Sequence, residues 1–459
     1  MEASTFMGSM FGALNSAAQS LHVIERAIDV VQNNVANSST PGYARQTQTI
    51  LANAFDPAHG VPGGISAGAM VSARSNFAED AVRSRQSSLG NASQKASDLA
   101  QVEQIFTVAD GSGINGALGA LFSSFSQLTV SPNDSTSRQV VLDRAQALAG
   151  AINAASNSLG ASASSVNAQA KGAVAHINKL AADIAGLNST LRTNIDATHD
   201  AGLDTQLNND LEELSKVANY TALHQPDGSV SVYLGGQTPL VVGDRQYQID
   251  AGFLNGGIQI TNSDGVDITK QITGGLMSGM LEEKNTLLPA YQDDLNTLAR
   301  SIAGRVNTVL RGGVDKLGTA PTTDLFTYDP VLGAAGTLKT NKLNTDQLAA
   351  ALPSAAGGNG NALNLSALSS SKEIDGYSFS EYYGDVASKV GRGLSDAQSG
   401  RRTQQQLLDQ SSAIREQVSG VNLNEEAAHL VELQRKYQAA AKMLSVLSDL
   451  TQTVIGLVK

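Results

Sequence analysis

Both ends of this chain carry a heptad pattern of small and aliphatic residues, and this feature constrains the fold more than any other. Towards the N-terminus, the pattern runs in alternating steps of three and four through Leu14, Ala17, Leu21, Ile24, Ile28, Val31 and Val35. Towards the C-terminus, the same steps run through Leu430, Leu433, Tyr437, Ala440, Leu444, Leu447, Thr451, Val454 and Val458. Such spacing places each set along one side of a helix, as in the seam of a coiled coil.

An isolated amphipathic helix gains little stability from propensity alone and needs cover for its apolar side. The simplest cover for each terminal helix is the other one, in a parallel or an antiparallel pair. Small seam residues such as Ala17, Ala440 and Thr451 limit the buried area. We therefore expect a pair that is marginal by itself and becomes stable when neighbouring subunits pack around it. The pattern equally allows a globular bundle or a homodimeric coiled coil.

Short polar motifs mark the ends of these helices. Residues 40–43 predict a turn after the first helix, because Pro41 fixes φ and Gly42 accepts the positive φ of a type II turn. Asn422 is placed to cap the last helix, with Glu425 three residues later as the partner in a capping box.

The interior predicts a mainly α protein with a small β insert. A helical period dominates most of it, whereas a period of two between glycine-rich turns marks the insert. We expect the terminal helices to pair as a coiled coil next to an elongated helical-bundle domain. The predicted domains are an inner coiled-coil domain at 1–50 and 415–459, a helical domain at 51–220, 273–310 and 377–414, a small β subdomain at 221–272, and a loosely structured outer excursion at 311–376.

Charge and composition narrow the possible functions. The chain has 31 Lys and Arg residues against 42 Asp and Glu residues, a net charge of −11, and no long basic run. Nucleic-acid binding needs clustered cations, so we expect no nucleic-acid partner. The absence of cysteine excludes disulfides and thiolate sites. No apolar stretch reaches the roughly 18 residues of a membrane span, so we expect no membrane insertion. The N-terminus lacks the pattern of a secretory signal peptide, so we expect that any export occurs without a cleaved signal.

Motifs for catalysis or cofactor binding are weak. The three glycines within 111–116 match the spacing of a dinucleotide-binding loop, but helical patterns flank them where that motif needs a preceding strand. The histidines are dispersed, and no serine-hydrolase elbow occurs. The acidic pairs Glu282–Glu283 and Glu425–Glu426 are interpreted as charges that complement helix N-termini. We expect no enzymatic activity, no cofactor and no bound metal.

Both ends resemble one known family. The segment 13–46, and above all its stretch from Asn33 to Tyr43, is similar to the N-terminal signature shared by flagellar rod, hook and hook-associated proteins. The segment 419–458 is similar to their C-terminal signature. The Pro-Gly-Tyr turn followed by Arg45-Gln46 resembles the hook-associated protein 1 family, and the interior segments 131–159 and 274–307 resemble its helical domain.

This resemblance implies an architecture, a location and a set of partners. The terminal helices would form an inner coiled coil lining the axial channel, with a helix-rich domain outside it. The protein would be an extracellular structural subunit at the hook–filament junction, exported by the flagellar type III path. Its partners would be other copies of itself, hook protein, hook-associated protein 3, and an export chaperone on the C-terminal helix. The excursion at 311–376 departs from the family pattern, since it is too small for the outer β domain of many relatives.

The resemblance also implies which residues make assembly contacts. At the N-terminal seam and turn these are Leu14, Leu21, Ile24, Ile28, Val31, Val35, Asn33, Asn34, Asn37, Pro41, Gly42 and Tyr43. At the C-terminal seam they are Asn422, Glu425, Leu430, Leu433, Tyr437, Ala440, Leu444, Leu447, Val454 and Val458. Two alternatives stay open: a flagellar hook or rod subunit, which would use the same physics at another position, and a secreted adhesin or enzyme carried on a helical stalk.

Overall fold

Helices form most of the described chain, and its strands are short. A computed structural model describes residues 2–56, 61–108, 111–193, 200–254 and 256–457. The α-helices are α1 (Glu2–Ala36), α2 (Asn76–Ile105), α3 (Gly113–Val130), α4 (Ser135–Thr193), α5 (Ala201–Val217), α6 (Gly275–Glu282), α7 (Leu288–Arg311), α8 (Ala334–Thr337), α9 (Gly360–Ala367), α10 (Phe379–Ser419) and α11 (Leu423–Leu457). A π turn at Glu283–Leu287 joins α6 to α7, and 3₁₀ turns lie at Thr269–Gln271 and Thr345–Gln347.

The strands pair only with antiparallel neighbours. They are β1 (Gln46–Ala52), β2 (Phe55–Asp56), β3 (Val61–Pro62), β4 (Ile65–Ser72), β5 (Tyr220–His224), β6 (Val230–Leu234), β7 (Thr238–Val242), β8 (Arg245–Gln246), β9 (Asp250–Leu254), β10 (Gly257–Thr261), β11 (Phe326–Thr327) and β12 (Lys339–Thr340). Strands β5 to β8 form a four-stranded sheet in sequence order, and the other sheets in the described residues are two-stranded ribbons. The predicted class, mainly α with a small β insert, is confirmed.

The chain divides into two compact units. We call residues 1–87, 177–247 and 405–459 the terminal unit, and residues 88–176 and 248–404 the helical unit. The terminal unit contains α1, α11, the β1–β4 ribbon, α5 and the β5–β8 sheet. In that sheet the alternate residues Val230, Val232 and Leu234 of β6 are completely buried, as are Leu240 and Val241 of β7.

Apolar side chains from α2, α3, α4, α7, α9 and α10 build the core of the helical unit. Leu118, Leu121 and Phe125 on α3 are fully buried, because they recur at helical spacing along one side of that helix. The Phe122 ring stacks on Phe379 with ring centroids 6.0 Å apart. Gly111, which has a φ of +74°, lies between the end of α2 and the start of α3, so this glycine motif stands where two helices are joined, as the sequence predicts.

Residues 311–376 differ from the loosely structured excursion that the sequence predicts. Phe326, Leu338 and Leu348 lie in the core of the helical unit. Within that unit, the Arg138 guanidinium is almost fully buried and donates hydrogen bonds to three backbone carbonyls of this segment, at Thr345, Asp346 and Leu348. Outside the short helices α8 and α9, isolated residues anchor the segment, so most of it lacks the periodicity by which sequence patterns reveal packed elements.

The predicted boundaries of the β insert and the helical domain also differ from the structure. The segment 221–272 divides between the two units, because β5–β8 belong to the terminal unit and β9–β10 to the helical unit. Helix α4 is continuous, yet its last part also belongs to the terminal unit. A continuous helical pattern carries no mark of where one unit ends, so the division could not be found from periodicity.

Candidate assembly site at the chain ends

The two terminal helices pack against each other in the terminal unit. Ile24, Ala27 and Val31 of α1 and Leu433 of α11 form a buried apolar cluster. The Tyr437 hydroxyl donates to Glu25 Oε1 at 3.1 Å, near one end of this contact. At the other end, Asn34 Nδ2 donates to Glu426 Oε2 at 3.1 Å. Earlier residues of α1 therefore meet later residues of α11, and the pair is antiparallel.

The buried cluster and the partly buried residues packed against it include seven of the predicted seam residues: Ile24, Ile28, Val31, Leu430, Leu433, Tyr437 and Ala440. Ile24, Val31 and Leu433 are buried, and those that are half-buried are Leu14, Leu21, Ile28, Leu430, Tyr437, Ala440, Leu444, Leu447 and Val454. Val35 is an exception, since its side chain is 40% exposed. The seam continues through Asn34, which is 1% exposed, because the last turn of α1 faces polar groups. Val458 lies outside the described residues.

Asn34 holds three segments together through its carboxamide. Its Nδ2 donates to the carbonyl of Gln46 at 2.9 Å, and its Oδ1 accepts from the backbone N–H of Gln46 at 2.9 Å. The same Nδ2 donates to Glu426 in the first turn of α11. Only a side chain with both a donor and an acceptor satisfies the two backbone groups of one residue, which explains an amide at this buried position.

The same arrangement occurs at three other helical asparagines. Each amide donates to the carbonyl and accepts from the N–H of a single strand residue. The pairs are Asn188 with Val230, Asn285 with Ile258, and Asn307 with Phe326. We call these contacts, together with that of Asn34, amide clamps. Each clamp gives a strand end the partner that a neighbouring strand would otherwise supply.

Tyr43 adds a second polar contact at the same point. Its hydroxyl lies 3.0 Å from Asn33 Oδ1 and 2.9 Å from Asn34 Oδ1, and donates to these oxygens. Burial, followed by the negative charge of Glu426, raises the pKa of Tyr43 to about 12. The phenol therefore keeps its proton, and its donor function, throughout the physiological pH range.

The turn after α1 forms as predicted. The Tyr43 N–H donates to the Thr40 carbonyl at 3.1 Å, and Gly42 has a φ of +73°. A Cβ on Gly42 would lie 2.0 Å from Asn209 Oδ1, so glycine is required for space as well as for conformation. Asn209 also donates to the carbonyl of Pro41 at 3.3 Å, which ties the turn to α5.

Asn422 caps α11 from outside the helix. Its Oδ1 accepts from the backbone N–H groups of Asn424 at 3.0 Å and Glu425 at 3.4 Å. The Glu425 carboxylate contacts the Asn422 side chain at 3.4 Å and Arg45 at 3.5 Å, rather than the backbone N–H that a capping box uses.

An open groove of about 640 Å³ brings several predicted motif residues together beside the turn. Asn33, Asn37, Thr40 and Tyr43 line one part of it, and Asp200 at the start of α5 lies on another. In the described part of the chain, no group of three or more His, Asp or Glu side chains could hold a metal ion. No helix there is long and apolar enough to cross a membrane.

Comparisons with known proteins agree with this geometry. The family described as the flagellar hook-associated protein FlgK helical domain matches residues 99–326, and the flagellar basal body rod FlgEFG protein C-terminal family matches residues 416–457. The flagellar hook-associated protein 1 of Bacillus subtilis is 26% identical over 504 residues, covering 99% of this chain and 98% of that protein. The chain belongs to the flagellar hook-associated protein 1 family.

Two further likenesses concern the whole length and the fold. The hook-associated protein 1 of Escherichia coli K12 is 21% identical over 98% of this chain and 100% of its own length. The flagellar hook junction protein FlgK from Burkholderia pseudomallei shares the fold with a TM-score of 0.67 and 17% identity, covering 74% of this chain and all of that one. This chain is a structural component of the bacterial flagellum and associates with other flagellar components.

Sequence reasoning missed an ionic cluster in the terminal unit of this hook-associated protein. Arg74 donates to Glu79 at 2.6 Å and to Asp204 at 2.8 Å, and Arg415 donates to Glu79 at 3.3 Å and to Glu212 at 2.7 Å. The side chains of Arg74 and Glu79 are almost fully buried. The sequence shows no signal of this cluster, because its members lie on four separate segments of the chain.

This cluster connects to the turn after α1. Arg74 Nη2 donates to the carbonyl of Gly42 at 2.7 Å. Nearby, Ser419 lies at the end of α10 and accepts two hydrogen bonds. Its carbonyl accepts from the Arg45 N–H at 2.9 Å, and its hydroxyl accepts from the Ser75 N–H at 3.1 Å. The signature residues at both chain ends thus share one bonded network.

Proposed function

We propose that this chain is the structural subunit that joins hook to filament, and that it assembles through α1 and α11. The family and the shared fold support a junction role. The observation that carries the assembly mechanism is a second apolar side on α11. Met443, Val446 and Leu450 recur in steps of three and four, and all are exposed, with Met443 at 62%.

The seam with α1 covers only one side of α11. Leu444 and Leu447 occupy positions of the seam pattern and are half-buried. The exposed residues Met443, Val446 and Leu450 each lie one position before a residue of that pattern. A second apolar side at helical spacing does not stabilise an isolated helix pair in water, because it stays exposed to solvent. It gains cover when neighbouring subunits pack against it, as expected for a helix that assembles side by side with others.

The proposed partners follow from this surface and from the family. They are other copies of the chain, hook protein on one side of the junction, and hook-associated protein 3 on the other. An export chaperone would cover the apolar side of α11 before assembly, since exposed apolar stripes promote aggregation. Export would be through the flagellar type III path, and the final location would be extracellular. We propose no catalytic role.

Localisation in purified flagella tests the proposal. Gold-labelled antibodies against this chain should mark a single band where the hook meets the filament. Loss of the gene should leave hooks that carry no filament, and the wild-type gene should restore filaments. Label distributed along the hook, or confined to the rod, would favour the hook or rod alternative. Absence of label from flagella would contradict both.

Charge placed on the exposed side of α11 tests the mechanism. Val446→Glu should leave the thermal unfolding of the monomer unchanged but prevent its incorporation at the junction. Gln434→Glu, which adds the same charge at another exposed position of α11, is the matched control and should assemble normally. Normal incorporation of the Val446 variant would contradict assembly through this side.

A further inference from the structure

The β1–β4 ribbon has an outer surface that its own chain leaves uncovered. It pairs Gln46–Ala52 with Ile65–Ser72 in antiparallel register, with a bulge between Gln48 and Ile50. Within the described residues no third strand joins it. A two-stranded ribbon is only marginally stable in water, and each of its strands keeps one edge free of a strand partner.

The ribbon is nevertheless fixed in place beside α1. The Ser16 hydroxyl donates to the carbonyl of Gly63 at 2.8 Å, and Ile65 packs against the apolar cluster between α1 and α11. At its other end, the Asn34 clamp holds Gln46. The ribbon is thus anchored at both ends to the helix that carries the N-terminal seam.

The chemistry of the ribbon is unusual for an open edge. Neither strand contains a charged residue. Natural sheets protect free edges with charges, prolines or covering segments, because open edges pair with other chains. Three exposed side chains, Ile50, Leu51 and Val71, add apolar surface, and Leu51 is 52% exposed. Phe55 extends this surface and is 72% exposed.

Elsewhere in the chain, amide clamps give strand residues the backbone partner that a neighbouring strand would supply. Asn188 does so for β6, Asn285 for β10 and Asn307 for β11. On the ribbon the clamp reaches Gln46 alone. Among the described side chains, none outside the ribbon hydrogen-bonds the backbone of 49–52. The open part therefore begins just beyond the clamp.

We propose that the β1–β4 ribbon is a second assembly surface, and that it pairs with another copy of this chain. The inference rests on the proposed function, since it requires that copies assemble. A second copy is the occupant that the surface fits, because two uncharged ribbons approach without like-charge repulsion. The ribbon is also continuous with the α1–α11 pair by which copies are proposed to meet. An added strand edge would supply main-chain hydrogen bonds, and the aliphatic side chains would supply apolar contact.

Photo-crosslinking in intact flagella tests this contact. A photo-reactive benzophenone amino acid would replace Leu51 in the full chain, expressed in cells lacking the native gene. Irradiation of purified flagella followed by mass spectrometry should give an adduct between two copies of this chain. The same probe at Val331, which is 89% exposed in the helical unit, controls for non-specific capture. Irradiated monomer before assembly should give no adduct.

The outcomes separate this inference from the proposed function. If the variant chain is present at the junction and the Leu51 probe captures a second copy, the inference is supported. If the chain is present but the probe captures only hook protein, another flagellar protein or nothing, the ribbon pairing is wrong while the junction role stands. If the wild-type chain is absent from purified flagella, the proposed function itself fails.

A charge introduced on the surface gives a second readout. Leu51→Lys places a cation on the open part of the ribbon, where a second copy would bring an identical cation close. We expect it to lower the amount of chain recovered with flagella, while the thermal unfolding of the monomer stays unchanged. Recovery equal to wild type would overturn the pairing.

Discussion

The α1–α11 pair and the core of the helical unit are both made of helices with apolar sides, but they are stabilised differently. In the helical unit, large side chains such as Phe125, Leu121 and Tyr383 are fully buried together. In the terminal pair, the buried apolar cluster is narrow, and Asn34, Tyr43 and other polar groups fill the space beside it. The burial of apolar surface therefore stabilises the helical unit, whereas specific hydrogen bonds stabilise the α1–α11 pair.

This difference suits the proposed roles of the two regions. A broad apolar core gives stability that does not depend on partners. A narrow seam with a buried amide gives less stability but fixes which residues face each other, as a polar residue does in a coiled coil. A region that must first be exported and then pack against neighbours needs a defined register more than a deep core.

The largest effect should come from the helical core. Phe125→Ala leaves a cavity among fully buried neighbours, so we expect a loss of about 3–5 kcal/mol in the free energy of unfolding. Urea unfolding followed by circular dichroism measures it. Val130→Ala on the same helix is the control, because that side chain is largely exposed and should change stability by less than about 0.5 kcal/mol. A similar loss in both variants would mean that burial does not set the stability of this unit.

The ionic cluster should give the next largest effect, this time in the terminal unit. Glu79→Gln leaves the guanidinium groups of Arg74 and Arg415 without their shared carboxylate. Breaking a buried ion pair from one side costs about 3 kcal/mol. Glu213→Gln on α5, which removes an exposed carboxylate, is the matched control. Hydrogen exchange of α1 and of the turn at 40–43 should increase only in the Glu79 variant. Unchanged exchange there would show that the cluster does not hold the chain ends.

Asn34→Asp tests the polar contact within the seam itself. The change keeps the shape but removes the donor to the Gln46 carbonyl and brings a carboxylate next to Glu426. A buried carbonyl left without its partner costs about 1–3 kcal/mol. Asn33→Asp is the control, because its exposed oxygen can still accept from Tyr43. If both variants unfold at the same urea concentration, the amide is not what fixes the register.

Sequence patterns predicted what repeats along the chain. The turn with its positive φ at Gly42 and the cap at Asn422 follow from local chemistry, and the structure shows both of them. The seam pattern is also local, and seven of its predicted positions lie in or against the buried cluster. The mainly α class followed from long helical periods. These features depend on neighbours within a few residues, so a single sequence contains their signal.

Contacts between distant segments could not be predicted in this way. Glu79 gives no sign in the sequence that Arg415 will reach it. Val35 fitted the heptad, yet Asn34 is the buried residue, because polar groups from β1 and α11 face that turn. Glu282 and Glu283 were interpreted as charges at a helix N-terminus, but they lie at the end of α6 and in the π turn, where Glu283 is buried.

Glu283 should make the stability of the helical unit depend on pH, and it tests whether the helical core tolerates a charge. Its side chain lies beside Asp98. Burial is the main cause that raises the pKa of Glu283 from 4.5 to about 9, and the hydrogen bond and negative charge of Asp98 are the second. The neutral amide of Gln94 donates to Asp98, and the phenol of Tyr291 lies close to Glu283. Among the described atoms, Glu283 Oε2 has no hydrogen-bond partner. A proton on this carboxyl would let it donate to Asp98.

The raised pKa of Glu283 sets the direction in which the free energy of unfolding changes with pH. The contribution of the protonated carboxyl to stability is fully present below pH 4.5 and is lost as the pH rises towards about 9. We expect the free energy of unfolding to fall by at most about 1.4 kcal/mol per pH unit across this window. Glu283→Gln keeps a donor for Asp98 without titrating and should flatten the slope, whereas Glu282→Gln, at the partly exposed ion pair with Lys95, should not. Equal slopes in wild type and in the Glu283 variant would mean that the core holds this carboxylate charged, and that polar groups tolerate charge there as they do in the terminal unit.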